Sequence, residues 1–161
     1  MIELNPRGLI TPNYNIPATM TELESLFVKG AESPKRYQLF DCYKLYTESL
    51  ATILAGEPFV QWVDGSFTTR ELNPGDIDVV SFINFDSVER SAKELQSFKY
   101  PDSLLHGVDA YIVKVYPKDH QLFALYAGDR AYWMDKFSKT TRNKRGIVYP
   151  KGFLEITISG S

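Results

Sequence analysis

The sequence is poor in the residues that form disulfides and zinc sites. Its 161 residues include one cysteine, Cys42, and two histidines, His106 and His120. A single cysteine excludes an internal disulfide, and no cysteine or histidine cluster has the spacing of a zinc site. The chain must therefore fold around a hydrophobic core, for which 43% hydrophobic and 14% aromatic residues are enough in one domain.

Long apolar runs, internal repeats and low-complexity segments are also missing. Residues 1–6 contain neither a basic region nor an apolar stretch, so we expect no signal peptide, no membrane span and a cytoplasmic protein. A net charge of −2 gives no overall attraction to nucleic acid or to a membrane surface. Any polyanion would therefore have to bind a local basic patch.

The most specific chemistry lies in two apolar stretches and the polar loop between them. Residues 59–63 predict a buried strand that ends at Gly65 and Ser66, and residues 76–82 predict a second strand. Gly65 allows a ligand to approach the backbone closely, and the hydroxyl and amide groups of Ser66 can donate to phosphate oxygens. The pair is a candidate anion cradle.

Two carboxylates, Asp76 and Asp78, belong to the second predicted strand. Because side chains alternate along a strand, both are predicted to project from one face, beside the cradle. Unpaired carboxylates this close repel each other, and oxygen ligands at this spacing suit Mg²⁺. The alternative is that this acidic pair, which follows Pro74 and Gly75, forms only a turn and the beginning of a strand.

The combination of apolar strand, Gly-Ser turn, loop and Asp-Ile-Asp strand resembles the signature of the polymerase-β-like nucleotidyltransferase superfamily. Within it, the chain is similar to a family of small, uncharacterised bacterial minimal nucleotidyltransferase-like proteins, and the similarity covers most of the chain. The stretches that carry this second resemblance are Gly8-Leu9-Ile10-Thr11-Pro12, Asp64-Gly65-Ser66-Phe67-Thr68-Thr69, Pro74-Gly75-Asp76-Ile77-Asp78 and Lys144-Arg145-Gly146-Ile147-Val148, together with an arginine-bearing helix.

The resemblance implies an α+β fold, with helices packed on a mixed β-sheet. The length predicts a single domain over residues 1–161, and Pro6, Gly8, Pro12 and Pro17 predict that it begins with an extended arm, residues 1–18. It also implies a third carboxylate on a later strand. Asp109, at the entry of the strand predicted over residues 108–116, is the one acidic residue placed for that role. From spacing alone, a turn residue after Gly107 is an equally good interpretation of Asp109.

The activity implied by the resemblance is the transfer of a nucleoside monophosphate from a nucleoside triphosphate to an acceptor. Two Mg²⁺ or Mn²⁺ ions would be held by the catalytic carboxylates, one of which, Asp109, would also assist deprotonation of the acceptor. The catalytic and metal-binding set is Asp76, Asp78 and Asp109. The nucleotide- and phosphate-binding set is Gly65, Ser66, Thr69 and Arg70.

Several basic side chains have two interpretations. Lys35, Arg36 and Arg70 are candidate phosphate contacts, although a solvated surface charge is the commoner role of such residues. Residues 136–146 are the only basic cluster in the sequence. They fit a plain surface loop, and equally a surface that contacts triphosphate or an RNA backbone.

The acceptor is not specified by the sequence. No second, helical domain is visible, and by resemblance to minimal nucleotidyltransferases paired with toxins we expect a protein or an RNA such as tRNA, in a toxin–antitoxin or defence system. One alternative is a catalytically silent nucleotidyltransferase-like binding partner or antitoxin. A third hypothesis is an RNA-binding module that depends on the basic cluster.

The remaining pattern predicts the other elements. The helices are predicted over residues 19–29, 34–55, 86–98 and 119–139, with a break at Gly128 in the last. The chain is predicted to close with one or two strands at a sheet edge, over residues 146–149 and 153–158.

Overall fold

The computed structural model describes residues 1–159. Within them the strands are β1 (Glu3–Leu4), β2 (Ile10–Thr11), β3 (Asn15–Pro17), β4 (Phe59–Asp64), β5 (Asp78–Asn84), β6 (Asp109–Val115) and β7 (Phe153–Ile158). The α-helices of the same residues are α1 (Met20–Glu24), α2 (Pro34–Ile53), α3 (Phe85–Arg90) and α4 (Phe123–Phe137). Short 3₁₀ turns cover Ser66–Thr68, Glu94–Phe98 and Asp102–His106, and a π-helical turn covers Ser25–Lys29.

A five-stranded mixed sheet organises the fold, with the strand order β3–β7–β4–β5–β6. The central strand β4 pairs antiparallel with both β5 and β7, whereas β5–β6 and β3–β7 are parallel pairs. Strands β1 and β2 form a separate antiparallel pair. Because helices pack on this sheet, the α+β class with a mixed sheet that the sequence predicts is confirmed.

The two faces of the sheet bury different helices. Helix α2 covers one face with an apolar stripe that includes Tyr43 and Leu50, both fully buried. Helix α4 covers the other face, where the Phe137 ring centroid lies 5.6 Å from that of Phe153. Burial of each such side chain contributes about 1.5 to 3 kcal/mol, so core packing holds both helices on the sheet.

The α4 face is also the face on which the strand β5 presents its first carboxylate. Val80 and Phe82 belong to the apolar cluster under α4. Since side chains alternate along a strand, Asp78 projects on that same face, at the strand end. The end of α4 and the chain that follows it are therefore placed beside Asp78.

The starts of the first two helices are those predicted. Thr19 accepts from the Glu22 amide while the Glu22 side chain accepts from the Thr19 amide, which is a complete capping box. Ser33 caps α2 by accepting from the Arg36 amide, and Pro34 occupies the first helical position. Side chains capable of capping therefore identified both helix starts correctly.

The two later helix predictions were wrong in their bounds. The helix predicted over residues 86–98 ends at Arg90, and Asn84 caps its start by accepting from the Asp86 amide. The last helix begins at Phe123 and not at Asp119, because the Leu122 amide donates to His120 Nδ1 in a turn that precedes it. Helix α4 also continues through Gly128, where the predicted break does not occur.

The strand predictions need three corrections. Strand β7 is not at a sheet edge, because the N-terminal arm adds β3 beyond it. Residues 146–149 form no regular strand, since Gly146, at φ +77°, belongs to a turn. Strand β5 begins at Asp78, so Asp76 lies in the preceding loop rather than on the strand.

The N-terminal arm packs on the rest of the fold through three apolar side chains. Leu9, Ile10 and Ile16 are all buried. Gly152 fits closely against this arm, because a Cβ atom there would lie 2.3 Å from the Pro12 carbonyl oxygen. Among residues 1–159, none of the helices has the length and hydropathy needed to cross a bilayer.

Candidate active site

Three carboxylates meet where β5 and β6 begin. Asp78 and Asp109 are the first residues of these parallel strands and are paired in register. Asp76 approaches from the loop before β5. One carboxylate oxygen from each residue lies within 4.8 Å of the others. The structure therefore brings together the three acidic residues that the sequence selects, although only two of them are on strands.

The carboxylate cluster is electrostatically unfavourable as it stands. Burial raises the pKa of Asp78 to about 7, with further contributions from the negative charges of Asp76, Asp109 and Asp64. Burial and the charge of Asp109 also raise the pKa of Asp76. One oxygen of Asp78 and one of Asp109 are buried without a hydrogen-bond partner within the described residues. Uncompensated carboxylate oxygens are the donor set that Mg²⁺ or Mn²⁺ requires.

The predicted anion cradle lies directly beside this cluster. Gly65 has φ +88°, and a Cβ atom there would lie 3.1 Å from Asp78 Oδ2, so glycine suits both the conformation and the close approach. Ser66 then begins a 3₁₀ turn. The cradle and the carboxylates are therefore parts of one site.

A cleft of about 490 Å³ opens over Asp76 and Asp78, whereas Asp109 lies behind them and is not among its lining residues. Five of the predicted site residues line it, namely Gly65, Ser66, Thr69, Asp76 and Asp78. The end of α4 and the following residues, Lys136, Phe137, Lys139, Thr140 and Thr141, also line it. Acidic and basic groups thus border the same space, which suits a ligand that carries both phosphates and a metal ion.

Arg70, predicted among the phosphate-binding residues, is outside the cleft lining. Its side chain is exposed and packs beside Gly8, whose carbonyl accepts a 3.1 Å hydrogen bond from the Arg70 amide. Thr69 lines the cleft, but its hydroxyl donates to the Ser66 carbonyl at 2.7 Å. These two residues therefore shape the loop around the cradle.

Arg36 has neither of the roles considered from the sequence. It is only 1% exposed, so it is not a surface charge, and its guanidinium donates to backbone carbonyls rather than facing the cleft. Its carbonyl acceptors belong to Phe27, Phe67, Thr69 and Glu71. Three of them lie in the chain just after the cradle, so Arg36 fixes that chain from behind.

A buried ion pair beside the cluster was missed at the sequence level. Lys151 Nζ donates to Asp64 Oδ1, and the two side chains are 7% and 6% exposed. Asp64 ends β4 opposite Asp78 in the sheet register. Burial raises the pKa of Asp64 to about 6, although the Lys151 charge opposes the rise. Lys151 also lines the cleft, so it adds a fixed cation among the carboxylates.

Comparison with protein families matches residues 2–157 to a family of unknown function, DUF6932. Searches of curated proteins and of solved structures found no match. The family match spans nearly the whole chain and carries no activity, so a functional argument depends on the geometry of the site.

Arg36→Lys should lower the free energy of unfolding by about 3 kcal/mol, because an ammonium group cannot reach all four carbonyls and leaves buried acceptors unpaired. Chemical denaturation measures this loss. Amide hydrogen exchange of residues 66–71 should also become faster. Arg90→Lys, at an exposed ion pair with Glu57, is the control and should change stability by no more than about 0.5 kcal/mol. Equal stability of both variants would contradict the role given to Arg36.

Asp78→Asn should stabilise the metal-free protein by about 1 to 2 kcal/mol near pH 8. The pKa of Asp78 in the fold is about 7, against an ordinary value of 3.8. A carboxyl group whose pKa is raised in the fold stabilises the fold at low pH. This stabilisation is lost progressively as the pH rises from the pKa of the unfolded chain to the pKa of the folded protein. The advantage of the variant should therefore widen from about pH 4 to about pH 7 and stay constant above that. Denaturation curves in a chelating buffer measure it.

The matched control is Asp119→Asn, which removes one exposed carboxylate away from the cleft. It should leave the pH dependence of stability unchanged. If Asp78→Asn were instead less stable than the wild type near pH 8, the carboxylate cluster would not be the source of electrostatic strain.

Lys151→Met should destabilise the protein by about 3 to 5 kcal/mol near pH 8, because the change leaves Asp64 buried without its cation. The loss should be smaller near pH 5, since Asp64, with its pKa already at about 6 and raised further by the substitution, can then become neutral. Thermal or chemical denaturation at the two pH values tests this. Lys139→Met, at an exposed pair with Asp135, should cost no more than about 1 kcal/mol at either pH. A pH-independent loss in Lys151→Met would count against the ion pair.

Proposed function

We propose that this chain, which belongs to the DUF6932 family, is a metal-dependent nucleotidyltransferase of the polymerase-β-like type. It would transfer a nucleoside monophosphate from a nucleoside triphosphate to an acceptor hydroxyl. The observation that supports this proposal most directly is the cluster of Asp76, Asp78 and Asp109, whose oxygens lie within 4.8 Å beside the Gly65–Ser66 turn.

The cluster is suited to hold the metal ions that such a reaction needs. The unpaired buried oxygens of Asp78 and Asp109 lack any protein donor within the described residues, and the raised pKa of Asp78 reflects how unfavourable its uncompensated charge is. Bound Mg²⁺ or Mn²⁺ would neutralise charge on the triphosphate and on the departing pyrophosphate. Asp76, in the loop, completes the set of ligands from outside the strands.

The part of the cleft formed by the end of α4 and the residues after it fits the substrate's phosphates. Lys136 and Lys139 provide ammonium groups, and Thr140 and Thr141 provide hydroxyls. The amides and hydroxyl of the Gly65–Ser66 turn would hold the outer phosphates on the opposite side. A triphosphate between these walls has its charges countered from both sides, which fixes its orientation.

In the proposed reaction the acceptor oxygen forms a bond to the α-phosphorus. The bond from that phosphorus to the oxygen bridging the α- and β-phosphates breaks, and pyrophosphate leaves with those electrons. The hydroxyl proton passes to a carboxylate, and we assign this role to Asp109, as the resemblance implies. Like Asp78, it has one oxygen that makes no hydrogen bond within the described residues. The protein contributes mainly position and charge, since phosphoryl chemistry of this kind needs little covalent help.

A supply of nucleoside triphosphate implies a cytoplasmic location, which we include in the proposal. A toxin or antitoxin partner, and a protein or tRNA acceptor, stay predictions based on the resemblance.

Calorimetric titration of each of the four nucleoside triphosphates tests the proposal, with and without Mg²⁺. The wild type should bind at least one of them only when Mg²⁺ is present, and Asp78→Ala should weaken that binding by about a hundredfold because a metal ligand is removed. Asp119→Ala, at an exposed aspartate outside the cleft, is the control and should bind like the wild type.

Two results would contradict the proposal. One is binding of triphosphate that is independent of both Mg²⁺ and Asp78. The other is no binding at all by a folded wild type, which would favour the catalytically silent binding partner.

A further inference from the structure

The chain between α4 and β7 forms an ordered hairpin, which we call the basic hairpin and define as residues 138–151. Its two arms are joined by the 2.8 Å hydrogen bond from the Thr140 amide to the Tyr149 carbonyl and the 3.0 Å bond from the Asn143 amide to the Ile147 carbonyl. The Asn143 side chain accepts from the amides of Arg145 and Ile147 and so closes the turn. The hairpin therefore presents its side chains from a fixed backbone.

The hairpin concentrates positive charge in a chain that is otherwise acidic. Residues 138–151 contain five basic residues and no acidic one, whereas the whole chain has a net charge of −2. Of these five, Lys139 pairs with Asp135 at 3.0 Å on the surface. Lys144 and Arg145, at the tip, are exposed and form no ion pair within the described residues. Arg7 adds a further cation at the base, 3.9 Å from the Tyr149 ring centroid.

The hairpin begins and ends at the carboxylate site. Lys139, Thr140 and Thr141 line the cleft on one arm, and Lys151 at the end of the other arm pairs with Asp64. A second depression, of about 590 Å³, adjoins the cleft and shares Lys136, Lys139, Thr140 and Thr141 with its lining; Asp135 is the one acidic residue of the described chain that lines it. Arg142 and Tyr132, a residue that is 57% exposed, line that depression and not the cleft.

We propose that the basic hairpin binds the acceptor, and that the acceptor is a single-stranded nucleic acid whose terminal hydroxyl enters the cleft. This inference rests on the proposed nucleotidyltransferase function. The strand would follow the hairpin from its tip into the second depression, and would end at the carboxylates.

Three observations favour a nucleic-acid strand over other occupants. The cations at Lys144 and Arg145 lie outside the cleft lining, so a triphosphate held in the cleft does not account for them. Exposed Tyr132 in the adjoining depression offers a ring on which a base can stack. The hairpin tip, residues 141–146, is polar throughout, whereas a protein partner would require an apolar core to its interface.

The chemistry at the end of the strand is that of the proposed reaction. The terminal hydroxyl oxygen bonds to the α-phosphorus of the bound nucleotide, pyrophosphate leaves, and the hydroxyl proton passes to Asp109. The strand becomes one nucleotide longer, and no oxidant, reductant or further co-reactant is needed.

The test compares the wild type with the double variant Lys144→Gln/Arg145→Gln. Fluorescence anisotropy measures binding of end-labelled single-stranded RNA and DNA of the same mixed sequence at several salt concentrations. The variant should bind roughly tenfold more weakly, and the slope of log affinity against log salt should shrink by about 0.7 for each phosphate that is no longer neutralised. Lys93→Gln/Lys118→Gln removes the same charge from exposed positions outside the hairpin and should bind like the wild type.

The same proteins are then titrated with Mg²⁺ and nucleoside triphosphate, which separates this inference from the proposed function. The hairpin variant should bind the nucleotide normally because Lys144 and Arg145 do not line the cleft. With labelled nucleotide, the wild type should extend a strand that has a free terminal hydroxyl and should not extend one blocked by a terminal phosphate.

The outcomes differ in what they overturn. Equal weakening of strand binding in the hairpin and control variants would overturn the inference and leave the nucleotidyltransferase proposal intact. The inference would also be overturned if the wild type bound nucleotide but bound neither the single-stranded RNA nor the single-stranded DNA. Strand binding without any Mg²⁺-dependent nucleotide binding would overturn the proposed function, and with it the strand's role as acceptor.

Discussion

Repulsion among carboxylates at one end of the sheet is the constraint on which the rest of the site depends. Asp78 and Asp109 are fixed side by side because the parallel pairing of β5 and β6 puts both strand starts in register. The register is in turn fixed by apolar side chains on both faces of the sheet, since a slip of one residue would move each of them to the other face, where its packing partners differ. The core therefore supplies the free energy that holds these like charges together.

Two buried cations complete this arrangement in different ways. Arg36 carries its charge on the α2 side and donates to carbonyls, so it fixes the chain after the cradle without entering the cleft. Lys151 carries its charge into the cleft and pairs with Asp64. Its charge also opposes the rise in the pKa of Asp78. Arg36 therefore fixes the backbone beside the site, and Lys151 offsets part of its negative charge.

Local patterns predicted the parts of the site that neighbouring residues determine. The Gly65–Ser66 turn and the close pair Asp76 and Asp78 were readable because their spacing alone places them together. Asp109 needed the family resemblance, since the sequence does not specify the register between β5 and β6. Arg36 had a signal that was overlooked: it precedes Leu39, Phe40 and Tyr43 at helical spacing, which places it on the buried face of α2.

Other features depend on contacts that no local pattern encodes. The Lys151–Asp64 pair joins residues 87 positions apart, and β7 became an internal strand only because β3 pairs beyond it. Both involve the chain around the basic hairpin, which connects the end of α4 to the start of β7. Since Lys151 is the last residue of that hairpin, the pair that balances charge among the carboxylates also fixes the base of the basic surface. The buried ion pair therefore connects the sheet, the cleft and the base of the basic hairpin.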